Sequence, residues 1–357
     1  MTPPPDPAAD PAADPAADET AKTAGPASAE AARPAEAPET AAVTAGQAQA
    51  PPATFWGRWW YGPIPRARIA WLRVIAYVFL PFDMLLLTSS SLAHARLPAD
   101  LYQPVRLARW LHLPAPTPAA MYTVLVVTIA AGLVAATGRV LPRLTGYIAA
   151  GGYLWWVTIS MSYGKVDHDH LALIVALLVL PSVGRAGLGD RTGGEAAGWS
   201  TRIVQVSVIA AYFLSAWAKV RVGGFPGWPN GATVQWALSR RGTAFGRSLI
   251  QFPLMLKASQ WFTFFAEFSS PALLFLRGRP LYLGVLFFAG FHVVTYALMT
   301  IHFLPHAIFL AAFLPLERLT DRLPRRVRDR VAHVPEETAV GDRATPDQAD
   351  DRQPLPS

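Results

Sequence analysis

The sequence predicts an all-α fold, a polytopic membrane helix bundle of about eight transmembrane helices flanked by disordered N- and C-terminal tails. Three observations predict it. Of the 357 residues, 52% are apolar and only 15% charged, whereas an ordinary soluble domain carries about 25% charged residues. The apolar residues gather into segments close to the ~20 residues that a helix needs to cross a hydrocarbon core of ~30 Å. Both ends of the chain, by contrast, are polar and rich in Ala and Pro.

Residues 1–53 begin with three DPAA copies from Asp6 to Ala17 and hold eight acids against two bases. Prolines at such spacing forbid a helix, so this segment reads as a disordered, solvated arm. It has no apolar run that would serve as a signal peptide, which leaves the first membrane helix as the insertion signal. Residues 335–357 are of the same kind. Before them, 317–334 form a basic juxtamembrane segment with Arg322, Arg325, Arg326 and Arg328. Cysteine is absent, which excludes disulfides, thiolate metal sites, cysteine nucleophiles and palmitoylation.

Between the tails, 54–316 form the membrane domain. Its apolar segments are 69–90, 119–137, 142–162, 169–184, 202–220, 258–276 and 281–300, with a short eighth at 303–316. If the chain alternates, Arg58, Arg66, Arg68, Arg139, Arg143, Arg185, Arg191, Arg277 and Arg279 fall on one side together with the basic segment after Leu316. By the positive-inside tendency that side is the cytoplasm, so a cell-membrane protein with both termini cytoplasmic is expected. The loop 221–257 falls outside yet carries Arg221, Arg240, Arg241, Arg247 and Lys257. Either the topology differs there, or the loop is a surface for an anionic partner, or its charge carries no particular meaning. The lipid bilayer accounts for the remaining positive charge, and nucleic acid is not an expected partner.

Ionisable groups inside a span cost about 3 kcal/mol at the helix centre, so they face the bundle interior and mark function. Gln205, Tyr212 and Lys219 are seven apart, with Ser215 on the same face. The next span carries Gln260, Thr263, Glu267 and Ser270, and the one after it His292, Thr295 and Tyr296. Three polar stripes in succession imply a shared cavity, although interhelical hydrogen bonding explains the Ser, Thr and Gln residues as well. Counted at the helical rise, Tyr212, Glu267 and His292 lie about 15 Å deep and Lys219 about 25 Å, so no direct Lys219–Glu267 ion pair is expected. His168 and His170, one residue apart beside Asp167 and Asp169, make an incomplete ligand set. No metal is expected, and the two acids read as helix caps.

Several patches resemble the HTTM family, the membrane domain shared with vitamin K-dependent gamma-carboxylases. Ile69-Ala-Trp-Leu-Arg73 through Asp83 is similar to its opening helix. Tyr212-Phe-Leu-Ser-Ala-Trp-Ala-Lys219-Val, followed by Trp228 and Gly231, resembles its Tyr-Phe-x-Ala-Gly-x-x-Lys-Leu run. Glu267-Phe-Ser-Ser-Pro-Ala-Leu-Leu-Phe-Leu, Phe291-His292 and Phe303-Leu-Pro resemble its later segments. The resemblance implies that Lys219 is the base that deprotonates a reduced quinone of vitamin K or menaquinol type, and that His170 or His168 matches a histidine near the same pocket. Partial burial, which disfavours the ammonium form, makes a lysine a usable base. The candidate set is therefore Lys219 and His170 as catalytic residues, with Tyr212, Trp217, Trp228, Glu267 and His292 against the quinone. The carboxylases' long lumenal domain has no counterpart in the 41 residues after Leu316, so carboxylation of a secreted protein is not expected. Two classes stay open, a quinol- and oxygen-dependent enzyme on an unknown substrate and a non-catalytic module that binds or transports a lipid or small solute, with a third, a scaffold for a partner protein through the basic loop 221–257, in which the cavity residues could be made apolar without harm.

Overall fold

The computed structural model describes residues 54–326; the predicted tails 1–53 and 335–357, and the juxtamembrane segment beyond Arg326, lie outside the described residues. The described part is predominantly helical. A short α1 (Phe55–Tyr61) starts at Thr54, whose side chain accepts from Gly57 N at 3.0 Å. Then come α2 (Arg66–Leu87), α3 (Pro118–Ala136), α4 (Pro142–Met161), α5 (His168–Val183), α6 (Glu195–Gly223), α7 (Ala232–Arg241), α8 (Pro253–Ser269), α9 (Gly278–Met299) and α10 (Leu304–Phe313). Four of these, α2, α3, α6 and α9, are long and apolar enough to cross a membrane. The predicted spans 169–184 and 303–316 coincide with α5 and α10, which are shorter, and 258–276 coincides with α8, which has 17 residues. Helix starts follow the sequence: Pro118, Pro142 and Pro253 occupy first-turn positions, where the missing N–H is not needed.

Two other prolines break the regularity of their helices. Pro81 lies inside α2, and the chain after it widens into a π-helical turn over Asp83–Leu87; such turns relieve the lost backbone bond and redirect a side chain. Here the redirected residue is Asp83, fully buried. At the end of α8, Pro271 converts the last turn into a tighter 3-10 segment, Ser270–Leu274.

The connections gather at two ends. At one, Ile64–Pro65 (β1) pairs antiparallel with Gly193–Gly194 (β2), Arg66 donates to Val183 O, Trp59 stacks on Phe275, and Trp71 Nε1 donates to Thr320 Oγ1. At the other, Tyr163 packs on His94 and Tyr102, Thr243 N donates to Leu298 O, and Thr300 Oγ1 donates to Arg241 O. The core between them is built on fully buried Trp156, Arg73, Tyr77 and Tyr153.

Arg68 closes the first end by a two-pronged contact with Glu317, at 2.8 and 2.7 Å. Burial, the largest single influence, would raise the Glu317 carboxyl, but the hydrogen bonds and charge of Arg68, a backbone hydrogen bond and the charge of Arg191 together outweigh it and hold the group below the usual carboxylate range. A carboxylate depressed on folding adds stability above its unfolded value, about 4.3, and loses it as pH falls through the folded value. Glu317→Gln should therefore lower stability by about 2 kcal/mol at neutral pH. The gap to the parent chain, read by thermal unfolding in detergent, should close as the pH is taken below about 4. A gap independent of pH would remove Arg68–Glu317 as its cause.

Candidate ligand cavity

Helix α6 sets the site. Its residues Tyr212, Ser215 and Lys219 share one face and line a cavity of about 310 Å³, walled also by α7, α8, α9 and α10. Lys219 Nζ meets three groups there. It lies 3.1 Å from Ser215 Oγ, makes an ion pair with Glu267 Oε2, and sits 5.0 Å from the centroid of the Trp228 ring. The two charged side chains are only 17% and 11% exposed. This corrects the depth argument, which kept them apart. Phe213 packs on Phe268, while Phe225, further along the chain, packs on Trp261 and Phe264, so α6 and α8 run antiparallel. Side chains lean toward the N-terminus of their own helix. On antiparallel helices, therefore, Lys219 leans down and Glu267 leans up. The 3-10 turn at 270–274 adds height as well, rising ~2.0 Å per residue instead of ~1.5 Å.

Below this pair the Tyr212 hydroxyl lies 2.6 Å from His292 Nε2, and the Tyr212 ring packs on Phe288 and, edge-on, on His306. Trp228 is positioned by Gln260, which accepts from Gly231 N at 2.8 Å and donates to Trp228 O at 2.9 Å. Gly231 has a positive φ of 95°, and a Cβ on it would press within 3.2 Å of Lys257 N, so the loop can lie on α8 only with glycine there. Gln205 ties α6 to α10 through Ala312 O and accepts from Arg202. Gln205 thus ties two helices together, and Gln260 ties α8 to the loop that precedes α7.

The structure brings together Lys219, Tyr212, Trp228, Glu267 and His292. It does not bring in Trp217, 45% exposed on the outer face of α6, nor His170. His170 is buried between two carboxylates, with Nε2 3.3 Å from Asp83 Oδ1 and Nδ1 3.2 Å from Asp169 Oδ1. His168 and Asp169 are the members of that turn that line the cavity. The acids do not cap α5 as expected: Asp167 pairs with Lys165 and Asp169 with His170, and neither side chain accepts a helix N–H. Tyr296, from the third polar stripe, is also exposed. The sequence reading missed His306, an imidazole inside an apolar segment and thus the same signal that singled out His292.

Three further spaces share walls with the cavity. An apolar groove of about 630 Å³ between α7, α8 and α9 shares Thr263, Phe291 and Thr295. Another, of about 580 Å³ along α5 and α6, shares Lys219, Ser215 and Trp228. A polar vestibule of about 360 Å³, lined by Lys165, Arg241 and His302, shares His168 and Asp169. Among the described residues no group of three or more metal-ligating side chains is placed to hold an ion. The arrangement can seat a small ring in aromatic surroundings, with an acid–base pair at one end and imidazoles at the other. No family model, curated protein or solved structure matches the chain.

Proposed function

We propose that the chain is a multi-pass cell-membrane protein that crosses the bilayer eight times with both termini in the cytoplasm, and that its cavity binds a reduced quinone, as the resemblance to HTTM membrane domains implies. The carrying observation is the Lys219–Glu267 pair beside Trp228, inside a cavity flanked by apolar grooves. Grooves of that kind suit a ligand that arrives from lipid. The donor set fits such a ligand: one hydroxyl of the ring can meet the pair while Phe291, Phe303 and Tyr212 offer aromatic surface. Glu267 then accepts the hydroxyl proton and the Lys219 ammonium stays beside the oxygen, so the two residues act as a unit. A bound hydroquinone would supply, on reaction with oxygen, a base far stronger than any side chain. Trp228 and the apolar walls keep bulk water from the pair.

The segregation of connections at two ends, with Arg66, Arg68, Arg191 and Arg277 at one, supports the topology. At the other end, Arg240 over the Trp236 ring and Arg241 at the vestibule support an anionic partner for 221–257. The second reading, a module that binds or transports a lipid or small solute without chemistry, is favoured by one observation: grooves and vestibule all adjoin the same cavity.

Purified protein should carry a quinone identifiable by mass spectrometry of the extracted lipids. Lys219→Ala should still bind menadiol while its oxygen-dependent turnover falls about 100-fold or more, the loss expected when the charge that stabilises a developing oxyanion is removed. Binding without turnover in the parent chain would leave the module, and absence of binding in both would end the quinol reading.

A further inference from the structure

The cavity has a second polar wall that the Lys219–Glu267 pair does not use. His306, in the first turn of α10, is 3% exposed and lines the cavity, and neither of its ring nitrogens has a hydrogen-bond partner. His292, with its ring centroid 5.6 Å away, has its Nε2 against the Tyr212 hydroxyl and its Nδ1 buried and unpartnered. Buried polar atoms in folded proteins are almost always matched by protein, water or ligand. A neutral imidazole offers one donor and one acceptor, and in His306, which lines the cavity, neither has a protein partner.

The position of this wall restricts what can match it. Tyr212 packs edge-on against His306 at 4.6 Å between centroids, whereas the Lys219 ammonium meets Glu267 beside Ser215, about one turn further along α6. A planar ring lying between the two walls, with an oxygen on each of two opposite edges, can offer one hydrogen bond to each. A ring with one oxygen leaves His306 unmatched.

We propose that His306 recognises the distal oxygen of a ring whose proximal oxygen meets Lys219 and Glu267, so that the site selects a ring with two opposed oxygens over a mono-oxygenated one. This rests on the quinol reading and adds to it a specificity residue. Sites built to hydrogen-bond a ligand hydroxyl reject the analogue that lacks it, because the buried partner is then left unpaired.

The test compares menadiol, with hydroxyls on opposite ring edges, with the methylnaphthol that lacks the second hydroxyl. Each is titrated under nitrogen into the full chain in lipid nanodiscs, with tryptophan quenching as the readout. The parent chain should bind menadiol at least about tenfold more tightly. His306→Phe should bind the two within about twofold of each other, whereas His306→Gln, which keeps a donor and an acceptor, should retain the preference. His306→Leu gives the same comparison if the larger ring disturbs folding. Equal binding of the two compounds by the parent chain, or an undiminished preference in both apolar variants, overturns the role of His306 and leaves the Lys219 reading standing. Failure of the parent chain to bind either compound overturns both.

Discussion

Lys219→Met should destabilise the bundle by about 3–5 kcal/mol, because it leaves the Glu267 carboxylate buried beside apolar surface without its counter-charge. The partner change Glu267→Leu should cost a similar amount by stranding the ammonium, which would keep only Ser215 and the Trp228 ring. Together the two changes should cost much less than their sum, since replacing a buried pair by apolar residues of similar volume is often close to neutral. A double-mutant cycle read by unfolding in mixed micelles should then give a coupling above about 2 kcal/mol. Depth counted at the helical rise alone leads to the opposite expectation, near-additivity. Additive losses, within about 0.5 kcal/mol, would mean that the ion pair does not form in the folded protein.

Hydropathy places the helices because a bilayer imposes one length on every segment that crosses it. The spans expected from apolar runs fall on α2 to α6 and α8 to α10 for that reason, although only four of them meet the length and apolarity a crossing requires. The same criterion is blind to α7, whose sequence includes Gln235, Ser239, Arg240 and Arg241, and α7 is a wall of the cavity through Thr233, Val234 and Ala237. Within a span, spacing predicts faces well. Tyr212 and Lys219 are seven apart and share the cavity, whereas Trp217, two residues before Lys219, is turned roughly 200° away from it and lies exposed. Chain neighbourhood is a poor guide to a site for that reason. His168 and His170 separate likewise, being two steps apart on a turn with about three residues per turn, so only His168 reaches the cavity. Contacts that depend on where a side chain leans, such as Lys219 with Glu267, or on a loop folded back by Gly231 and Gln260, need the third dimension.

Asp83→Leu should be nearly as damaging as the loss of Lys219, and for a related reason. Asp83 is fully buried, and its Oδ2 accepts from the Tyr153 hydroxyl at 2.8 Å and from Thr88 Oγ1 at 3.1 Å. Thr88 in turn accepts from Trp156 Nε1 at 2.8 Å, and His170 faces the other carboxylate oxygen. One carboxylate thereby holds α2, α4 and the start of α5 together. Its removal strands the Tyr153 hydroxyl and leaves the His170 imidazole with Asp169 alone, for an expected loss of about 3–5 kcal/mol. Asp83→Asn keeps the shape and an acceptor for Tyr153, so its loss should be nearer 1–2 kcal/mol. His170 also touches Asp169, which lines the cavity. A shift of that turn should therefore reach the ligand: Asp83→Asn, still folded, should weaken menadiol binding several-fold, whereas Trp217→Leu on the exposed face of α6 should leave it unchanged. Equal stability losses for the Leu and Asn variants would point to a packing role for Asp83, and unchanged binding in Asp83→Asn would separate this network from the cavity altogether.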